Sequence, residues 1–242
     1  EQGGLVLGQT VPTAGVTLDG RPVPVEPHGR FLLGFGRDAA PAAVLEIHHG
    51  TAVEIQTLTI ARRDWVVQSI EGLPRDKVEP DPVSVARIKA DSDMLRALRA
   101  RTTAEPRFLT GLIRPAEGII SGVFGSRRIY NGTPGAPHSG LDIAAVKGAP
   151  VLAAADGVVV LAAPDLFLTG QTVMIDHGLG LMSSYAHLSQ LAVDPGQRVA
   201  AGQRIGAIGT TGLATGAHLH WGMSWLDVRL DPEAAFELLR KE

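Results

Sequence analysis

The N-terminal part of the chain, from residue 4 to about 72, alternates apolar and polar residues in short segments. Val53–Ile55 and Leu58–Ile60 have the period-two pattern of half-buried strands, and Asp19–Gly20 has the composition of a tight turn. Short strands separated by turns are typical of a small all-β module. We therefore predict an immunoglobulin-like or similar small β-sandwich over residues 1–78.

The clearest helical pattern follows this module. Asp81 has a side chain that suits a helix N-cap, and Pro82 suits the first helical position because it has no N–H to satisfy. Apolar residues at helical spacing then share one face, namely Val85, Ile88, Leu95 and Leu98. We predict a helix within residues 79–105 that packs between two domains and bridges them.

From about residue 106 the chain is again β-rich, and it is also rich in glycine. The segments Ala153–Val160 and Pro195–Gly206 have a strand–turn–strand pattern similar to that of lipoyl- or biotin-carrying domains. A carrier function needs a modifiable lysine at a hairpin tip, whereas Lys147 precedes a strand, so we accept the related architecture and reject that function. The protein is predicted to be mainly β, with residues 106–242 forming a β-sheet groove domain of this duplicated-hybrid, lipoyl-like type.

Composition argues against several classes of function and of structural feature. The 242 residues carry a net charge of -3 and no long basic run, which argues against nucleic-acid binding. No stretch approaches the roughly 18 apolar residues that span a bilayer, so no membrane span is expected. The absence of cysteine excludes disulfides and thiolate metal ligands, and it fits an oxidising compartment. The start at Glu1 is what a removed export signal or a cloning decision would leave, and we expect a periplasmic or extracellular protein.

Histidine is concentrated in the C-terminal part, where five of the eight histidines lie between His138 and His220. Asp142 follows His138 by four residues and His218 precedes His220 by two, so each pair can leave one face of an extended segment. His187 lies between the two pairs. Two imidazoles and one carboxylate are a ligand set suited to Zn²⁺, and three protein ligands leave a fourth position for water. Such a water is acidified enough to act as a nucleophile near neutral pH.

The order of several phrases carries a family resemblance. His138 and Asp142 are followed by the phrase Tyr185–Ser189 and then by Gly216–Gly222. The connecting phrases also match, namely Ser121–Gly125, Asp142–Ala145, Ile175–Gly178 and Thr211–Gly216. Over residues 111–232 the chain resembles the LytM/lysostaphin-type zinc metalloendopeptidases. The resemblance implies a β-sheet groove in which peptide cross-links of bacterial peptidoglycan are hydrolysed.

The resemblance also implies a role for each central residue. His138, Asp142 and His220 would bind zinc. His187 and His218 would act beside the water, as the general base and as a hydrogen-bond donor to the transition state. Which of these two takes the proton stays open, because the basicity of histidine depends on its neighbours. The implied partner is a peptidoglycan stem peptide, and a cross-link such as D-alanyl–diaminopimelate is a more natural target than oligoglycine.

Three further side chains are candidates for substrate binding. Tyr185 has the strand parity of His187, so it either lines the groove or packs as an amphipathic wall residue. Arg127, with its neighbour Arg128, either meets carboxylates of a stem peptide or is a solvated surface residue. Asn131 is a candidate groove residue without an assigned role.

The remaining histidines are not expected to bind metal. His177 precedes Gly178 and is predicted to be a turn residue. His48 and His49 are adjacent on a predicted strand, so they point to opposite faces and do not easily share one ion. His28 precedes a glycine in a predicted hairpin turn.

Two functional hypotheses follow. A catalytically silent peptidoglycan-binding or hydrolase-activating module on the same fold would be expected to lack a metal ligand. This sequence has all of them, so the enzyme hypothesis is favoured. The N-terminal module has no chemical motif and is predicted to be non-catalytic. It would position substrate, recruit a regulatory protein or cover the groove.

Overall fold

A computed structural model describes residues 1–70 and 81–241, and it is mainly β with few helices. The predicted boundary between residues 78 and 79, and the terminal residue 242, lie outside the described residues. The division into residues 1–78, 79–105 and 106–242 therefore stays a prediction.

The helices are α1 (Pro82–Arg99) and α2 (Pro232–Leu239), and a 3-10 turn spans Arg107–Thr110. The strands are β1 (Leu5–Gln9), β2 (Gly15–Leu18), β3 (Arg21–Val23), β4 (Arg30–Gly34), β5 (Ala42–His49), β6 (Ala52–Thr59), β7 (Val67–Ile70), β8 (Ile119–Gly122), β9 (Arg127–Tyr130), β10 (Thr133–Pro134), β11 (Leu141–Ala144), β12 (Pro150–Leu152), β13 (Gly157–Leu166), β14 (Gly170–Gly178), β15 (Leu181–Leu191), β16 (Arg198–Val199), β17 (Arg204–Ile208), β18 (His218–Trp225) and β19 (Val228–Leu230).

The N-terminal strands form two antiparallel sheets, a β1–β4 pair and a four-stranded sheet in the order β3-β2-β5-β6. Val16 and Leu18 of β2 are buried while Thr17 between them is half-buried, as a period-two pattern requires. The two short strands predicted over Val53–Ile55 and Leu58–Ile60 are wrong in extent, because β6 is one strand. It pairs with β5 along its whole length and lies at the edge of the sheet. Most of its residues are exposed, so its alternation of apolar and polar residues is not matched by an alternation of buried and exposed side chains.

The C-terminal part forms a ten-stranded sheet whose main path is β16-β13-β14-β15-β18-β11-β8. Strands β15, β18 and β11 lie side by side in antiparallel order at its centre. One hydrophobic cluster runs from Phe31 and Leu33 of the N-terminal sheets to Trp221 and Leu230 of this sheet. Strand β7 also pairs in parallel with β9, so the two parts share backbone hydrogen bonds as well as a core.

Helix α1 begins where the sequence predicts. The Asp81 carboxylate accepts hydrogen bonds from the N–H of Val83 at 2.8 Å and of Ser84 at 3.2 Å. The predicted apolar face is only partly buried: Leu98 packs on Met174 and Met182, but Val85 is 50% exposed. The C-terminal half of the helix therefore carries the packing. Within the described part of the chain, no helix is long and apolar enough to cross a membrane.

A buried ion pair in the N-terminal part should make stability depend on pH. Glu26 is 2% exposed, and its carboxylate accepts a hydrogen bond from Arg30 Nε at 2.8 Å. Burial raises the pKa of Glu26, but hydrogen bonds from Arg30 and from backbone N–H groups outweigh it and lower the pKa to about 2. A lowered carboxyl pKa stabilises the fold above the unfolded value near 4.5, and this is lost as the pH falls towards 2.

We expect Glu26→Gln to be less stable than the wild type at pH 7 and to lose that difference between pH 4.5 and 2. The wild-type carboxyl contributes at most about 3 kcal/mol over this range. Urea unfolding of both proteins at several pH values measures it. A stability difference that is the same at pH 7 and pH 3 would show that the pair does not titrate in this way.

Candidate metal centre

The cluster is assembled by cross-strand pairing. Asp142 on β11 lies directly opposite His220 on β18, and Ala186 on β15 lies opposite His220 from the other side. Directly opposed residues place their side chains on the same face of a sheet. His138 enters from the segment before β11, and His187 follows Ala186 at the same edge.

Three ligand atoms converge at one point. His138 Nε2 lies 2.9 Å from Asp142 Oδ1 and 3.0 Å from His220 Nδ1, and His220 Nδ1 lies 2.8 Å from Asp142 Oδ1. Ligands about 2.0–2.1 Å from a tetrahedral ion would be roughly 3.3 Å apart, so these separations are near those of a coordination shell. Within the described residues, this is the group of three that could hold a metal ion.

The outer atoms of the ligands have partners that fix which atom faces inward. His138 Nδ1 lies 2.9 Å from the carbonyl of Val123, so Nδ1 carries the proton and donates it, and Nε2 keeps its lone pair for the cluster. Asp142 Oδ2 accepts from Arg128 at 2.6 Å, which leaves Oδ1 at the centre. Two nitrogens and a carboxylate oxygen in such close contact can all direct a lone pair at one cation between them. The donor set therefore fits a metal ion that takes nitrogen and oxygen ligands.

Glycines allow this close approach. A Cβ on Gly140 would lie 2.4 Å from the carbonyl of Trp221 and 2.8 Å from His220 Nε2, and a Cβ on Gly122 would lie 2.5 Å from Asp142 Oδ2. All three distances are shorter than those that real Cβ atoms show. The glycine between His138 and Asp142 is thus a packing requirement of the site.

His187 and His218 form a second pair beside the three ligands. Their ring centroids are 4.7 Å apart, and the His187 and His220 centroids are 6.0 Å apart. His187 Nδ1 lies 2.8 Å from the carbonyl of Thr211, and His218 Nδ1 lies 2.9 Å from the carbonyl of Gly216. A carbonyl only accepts, so both Nδ1 atoms carry protons and both Nε2 atoms are free to accept one. His218 Nε2 lies 3.9 Å from Asp142 Oδ1.

Burial sets the protonation states of the site. It lowers the pKa of His187 to about 4, with the charges of His220 and His218 acting in the same direction. Burial also lowers the pKa of His220 to about 4, although hydrogen bonding to Asp142 opposes it. For Asp142, burial raises the pKa, but the contacts of its carboxylate with His138 and His220 outweigh burial and hold the pKa well below its usual range. Near neutral pH the carboxylate is therefore ionised, and His187 and His220 are neutral.

A groove of about 650 Å³ opens over the cluster. The metal-site histidines lie on one side of it, and α1 contributes a wall through residues such as Leu95 and Arg99. Helix α1 is held there by the end of β13 and the residue that follows it. The Asp91 carboxylate accepts from the backbone N–H of Phe167 at 2.8 Å, and Arg87 pairs with Asp165 at 2.7 Å.

The structure does not place Tyr185 in the groove. Tyr185 is completely buried, and its hydroxyl accepts from the Ala154 N–H at 2.8 Å and lies 2.9 Å from Ser183 Oγ. The parity argument fails because His187 has a φ of 61°, a left-handed conformation that breaks the alternation along β15. The expectation that Tyr185 lines the groove is therefore wrong. The strain at His187 falls on a candidate functional residue, as is common at sites of function.

The other two candidates for substrate binding lie away from the residues that line the groove. Arg127 is exposed on β9, and Asn131 is an exposed residue at the turn between β9 and β10. Arg128, which the sequence did not separate from Arg127, contacts Asp142. Adjacent strand residues point to opposite faces, so only one of the two arginines can reach the site.

His177 is not a turn residue. It lies in β14 with no exposed surface, its Nδ1 donates to the carbonyl of Asp156 at 2.8 Å, and its Nε2 lies 2.7 Å from Ser183 Oγ. Burial lowers its pKa, so it is held neutral. With Tyr185 it completes a buried chain of hydrogen bonds that supports β14 and β15 and takes no part in the metal site.

Comparison with known proteins identifies the family. The model named peptidase family M23 matches residues 136–232, which include all five clustered residues. A solved structure of a candidate peptidase M23 from Pseudomonas aeruginosa is 30% identical in sequence, with a TM-score of 0.76. That match covers 97% of this chain and 94% of the other. The chain belongs to peptidase family M23. The resemblance noted in the sequence is thereby confirmed.

Curated relatives match less than half of this chain. The peptidoglycan DD-endopeptidase ShyA of Vibrio cholerae is 46% identical over 103 residues, which are 42% of this chain and 24% of that protein. The DD-carboxypeptidase/endopeptidase Mpg of Neisseria meningitidis is 44% identical over 84 residues, which are 35% of this chain and 19% of that protein. The chain thus spans less than a quarter of the length of either relative.

The buried position of Tyr185 leads to a prediction. Tyr185→Phe removes a hydroxyl that serves both the Ala154 N–H and Ser183, and leaving buried polar groups unpaired should cost about 1–3 kcal/mol of stability. Zinc binding should be unaffected, because no ligand contacts Tyr185. Chemical unfolding and metal titration of the variant test this. Wild-type stability combined with a changed KM for a substrate would instead return Tyr185 to the groove.

Proposed function

We propose that this M23 protein is a zinc metalloendopeptidase that hydrolyses peptide cross-links of bacterial peptidoglycan. One observation carries the proposal: a converging His138–Asp142–His220 donor set has a second histidine pair, His187 and His218, directly beside it. A site that only stored or structured a metal would have no need of two additional imidazoles with free Nε2 atoms at its edge.

The residues divide the work of amide hydrolysis. His138, Asp142 and His220 would hold the zinc ion, which when bound acidifies a water and polarises the scissile carbonyl. The Nδ1 atoms of His187 and His218 are each engaged by a backbone carbonyl, so the Nε2 atom of either ring can accept the proton of the attacking water. The histidine that accepts this proton becomes an imidazolium. It can donate a hydrogen bond to the developing oxyanion, and it then transfers the proton to the leaving amine. The proton taken from water thus ends on the new amino group, while the hydroxyl ends on the new carboxyl group.

The substrate assignment rests on the relatives. ShyA carries the name of a peptidoglycan DD-endopeptidase and is 46% identical over 103 residues, and Mpg carries that of a DD-carboxypeptidase/endopeptidase and is 44% identical over 84 residues. We accordingly propose a stem-peptide cross-link such as D-alanyl–diaminopimelate as the bond that is cut. A cell-wall substrate supports a periplasmic or extracellular location.

The finer architectural and site predictions are kept as part of the proposal. They are an immunoglobulin-like or similar N-terminal sandwich, a lipoyl-like C-terminal architecture, and a regulatory protein that binds the N-terminal part. Arg127 and Asn131 stay proposed outer contacts for substrate. The catalytically silent module is the second hypothesis. It is not favoured, because the donor set is complete and its outer atoms are held in place by Val123 and Arg128.

Two variants separate metal binding from proton transfer. His220→Ala should lose both zinc and activity, since it removes one of three ligands. His187→Ala should keep zinc and lose activity by about 10²- to 10⁴-fold, as expected for a general acid–base group. Purified sacculi are digested with each protein, the released muropeptides are identified by mass, and zinc is measured by elemental analysis. Equal, null digestion by the zinc-loaded wild type and His220→Ala would favour the binding module.

Removal of the metal gives an independent check. Dialysis against a chelator should abolish muropeptide release, and stoichiometric Zn²⁺ should restore it, whereas Mg²⁺ should not because it prefers oxygen ligands. Zinc should also raise the unfolding temperature of the wild type by mass action and leave that of His220→Ala nearly unchanged. Full activity after the metal is removed would contradict the proposal.

A further inference from the structure

The groove over the metal site is rich in arginine. Four arginines line it, namely Arg96, Arg99, Arg128 and Arg229, whereas Asp91 is the one described lining carboxylate besides Asp142. Arg128 is neutralised by Asp142, and Asp91 is engaged by the backbone N–H of Phe167. The positive charge of the other arginines is therefore not balanced by these groups.

Arg229 is the least compensated of the four. Its Nη1 donates to Ser139 Oγ at 3.2 Å, and among the described residues no carboxylate lies within ion-pair distance of it. Burial lowers the pKa of Arg229 to about 10, and the charge of Arg99 acts in the same direction. Removing a guanidinium from water without an ionic partner is costly, and such a group is expected where a ligand supplies the missing charge.

Arg99 does not relieve this imbalance. Its Nε lies 3.4 Å from Asp227 Oδ1, longer than a normal charge-assisted hydrogen bond. Asp227 is thus within ion-pair distance of Arg99 but not of Arg229, and the three groups together keep about one net positive charge by simple addition. Arg99 belongs to α1, which lies outside the residues 136–232 that match the family model.

This charge lies next to the reacting centre. Ser139, the partner of Arg229, is adjacent in sequence to His138, and the charge of Arg229 contributes to the lowered pKa of His220. An anion bound by Arg229 would therefore sit close to the scissile bond and not at a distant part of the substrate.

We propose that Arg229, assisted by Arg99, binds the α-carboxylate of the residue that contributes the nitrogen of the scissile amide. This inference rests on the proposed peptidase function and specifies its substrate class. A diaminopimelate in a D-alanyl cross-link and a terminal D-alanyl–D-alanine both carry such a carboxylate. In each it is attached to the carbon atom that bears the scissile nitrogen. The planar guanidinium pair matches a carboxylate in shape and charge.

The test compares matched peptides on the zinc-loaded full chain. One pair is a D-alanyl–diaminopimelate cross-linked peptide with that carboxylate either free or converted to a carboxamide. The second pair is a D-alanyl–D-alanine peptide, also with a free or amidated terminus. The wild type should prefer the carboxylate at least 10-fold in kcat/KM in one or both pairs. The pair that shows the preference distinguishes an endopeptidase from a carboxypeptidase substrate.

The variants assign the preference to its residues. Arg229→Gln should lower kcat/KM for the carboxylate peptide by about 10- to 100-fold, mainly through KM, and change the carboxamide peptide by less than about 3-fold. Arg99→Gln should give a smaller loss in the same direction. Lys89→Gln is the matched control, because Lys89 is an exposed cation on the same helix that pairs with Asp93 one turn further on and does not line the groove. Arg229→Lys keeps the charge without the fork and should restore only part of the preference.

The outcomes that overturn the inference are distinct from failure of the proposed function. A wild type without preference, or an Arg229→Gln loss that is equal for both peptides, would overturn it. If the wild type cleaves no peptide, the proposed function fails, and equilibrium binding of the same peptides decides the arginine assignment. Tighter binding of the carboxylate form that is lost in Arg229→Gln supports it, and equal binding of both forms overturns it. Thermal melts check folding, and Arg99→Gln carries the test if Arg229→Gln does not fold.

Discussion

The pairing of β11 with β18 places Asp142 opposite His220, and the rest of the site is built around this register. A slip of one residue would turn Asp142 towards the core and bring an apolar neighbour into the groove. The register is held by the opposite face of the same strands, where Ile143, Leu219 and Trp221 have almost no exposed surface. Apolar burial on one face thus fixes the polar geometry on the other.

Electrostatics then restrict what this geometry can do. The backbone carbonyls of Val123, Thr211 and Gly216 each accept a hydrogen bond from the Nδ1–H of an imidazole. Three histidines therefore present Nε2 towards the groove. Burial keeps two of the site's histidines neutral near pH 7, as both metal ligation and proton acceptance require. The sheet therefore sets not only where the imidazoles lie but also their tautomer and charge.

The candidate cluster could be predicted in part from residue spacing, because side chains two residues apart on a regular strand such as β18 lie on the same face. The even spacings from His138 to Asp142 and from His218 to His220 correspond to side chains that the structure brings together. The same argument failed for Tyr185, because the left-handed backbone at His187 breaks the alternation of side chains along the strand. No local residue pattern predicts that backbone conformation. His177 was missed for a related reason, because the glycine after it suggests a turn while the residue itself ends a buried strand.

Sequence reasoning could not find the arginine cluster, and the cause is topological. Arg229 stands in a short strand beside apolar residues, and Arg99 stands near the end of a helix, where cations commonly complement the helix dipole. Each has an ordinary local explanation. Only the packing of α1 against the end of β13 and the residue that follows it brings the two guanidiniums to one wall of the groove. Helix α1 is therefore more than a connector. By closing the groove on the side facing the metal ligands, it adds positive charge that the family-matched part of the chain does not supply alone, and so it has the position and the chemistry to select the substrate.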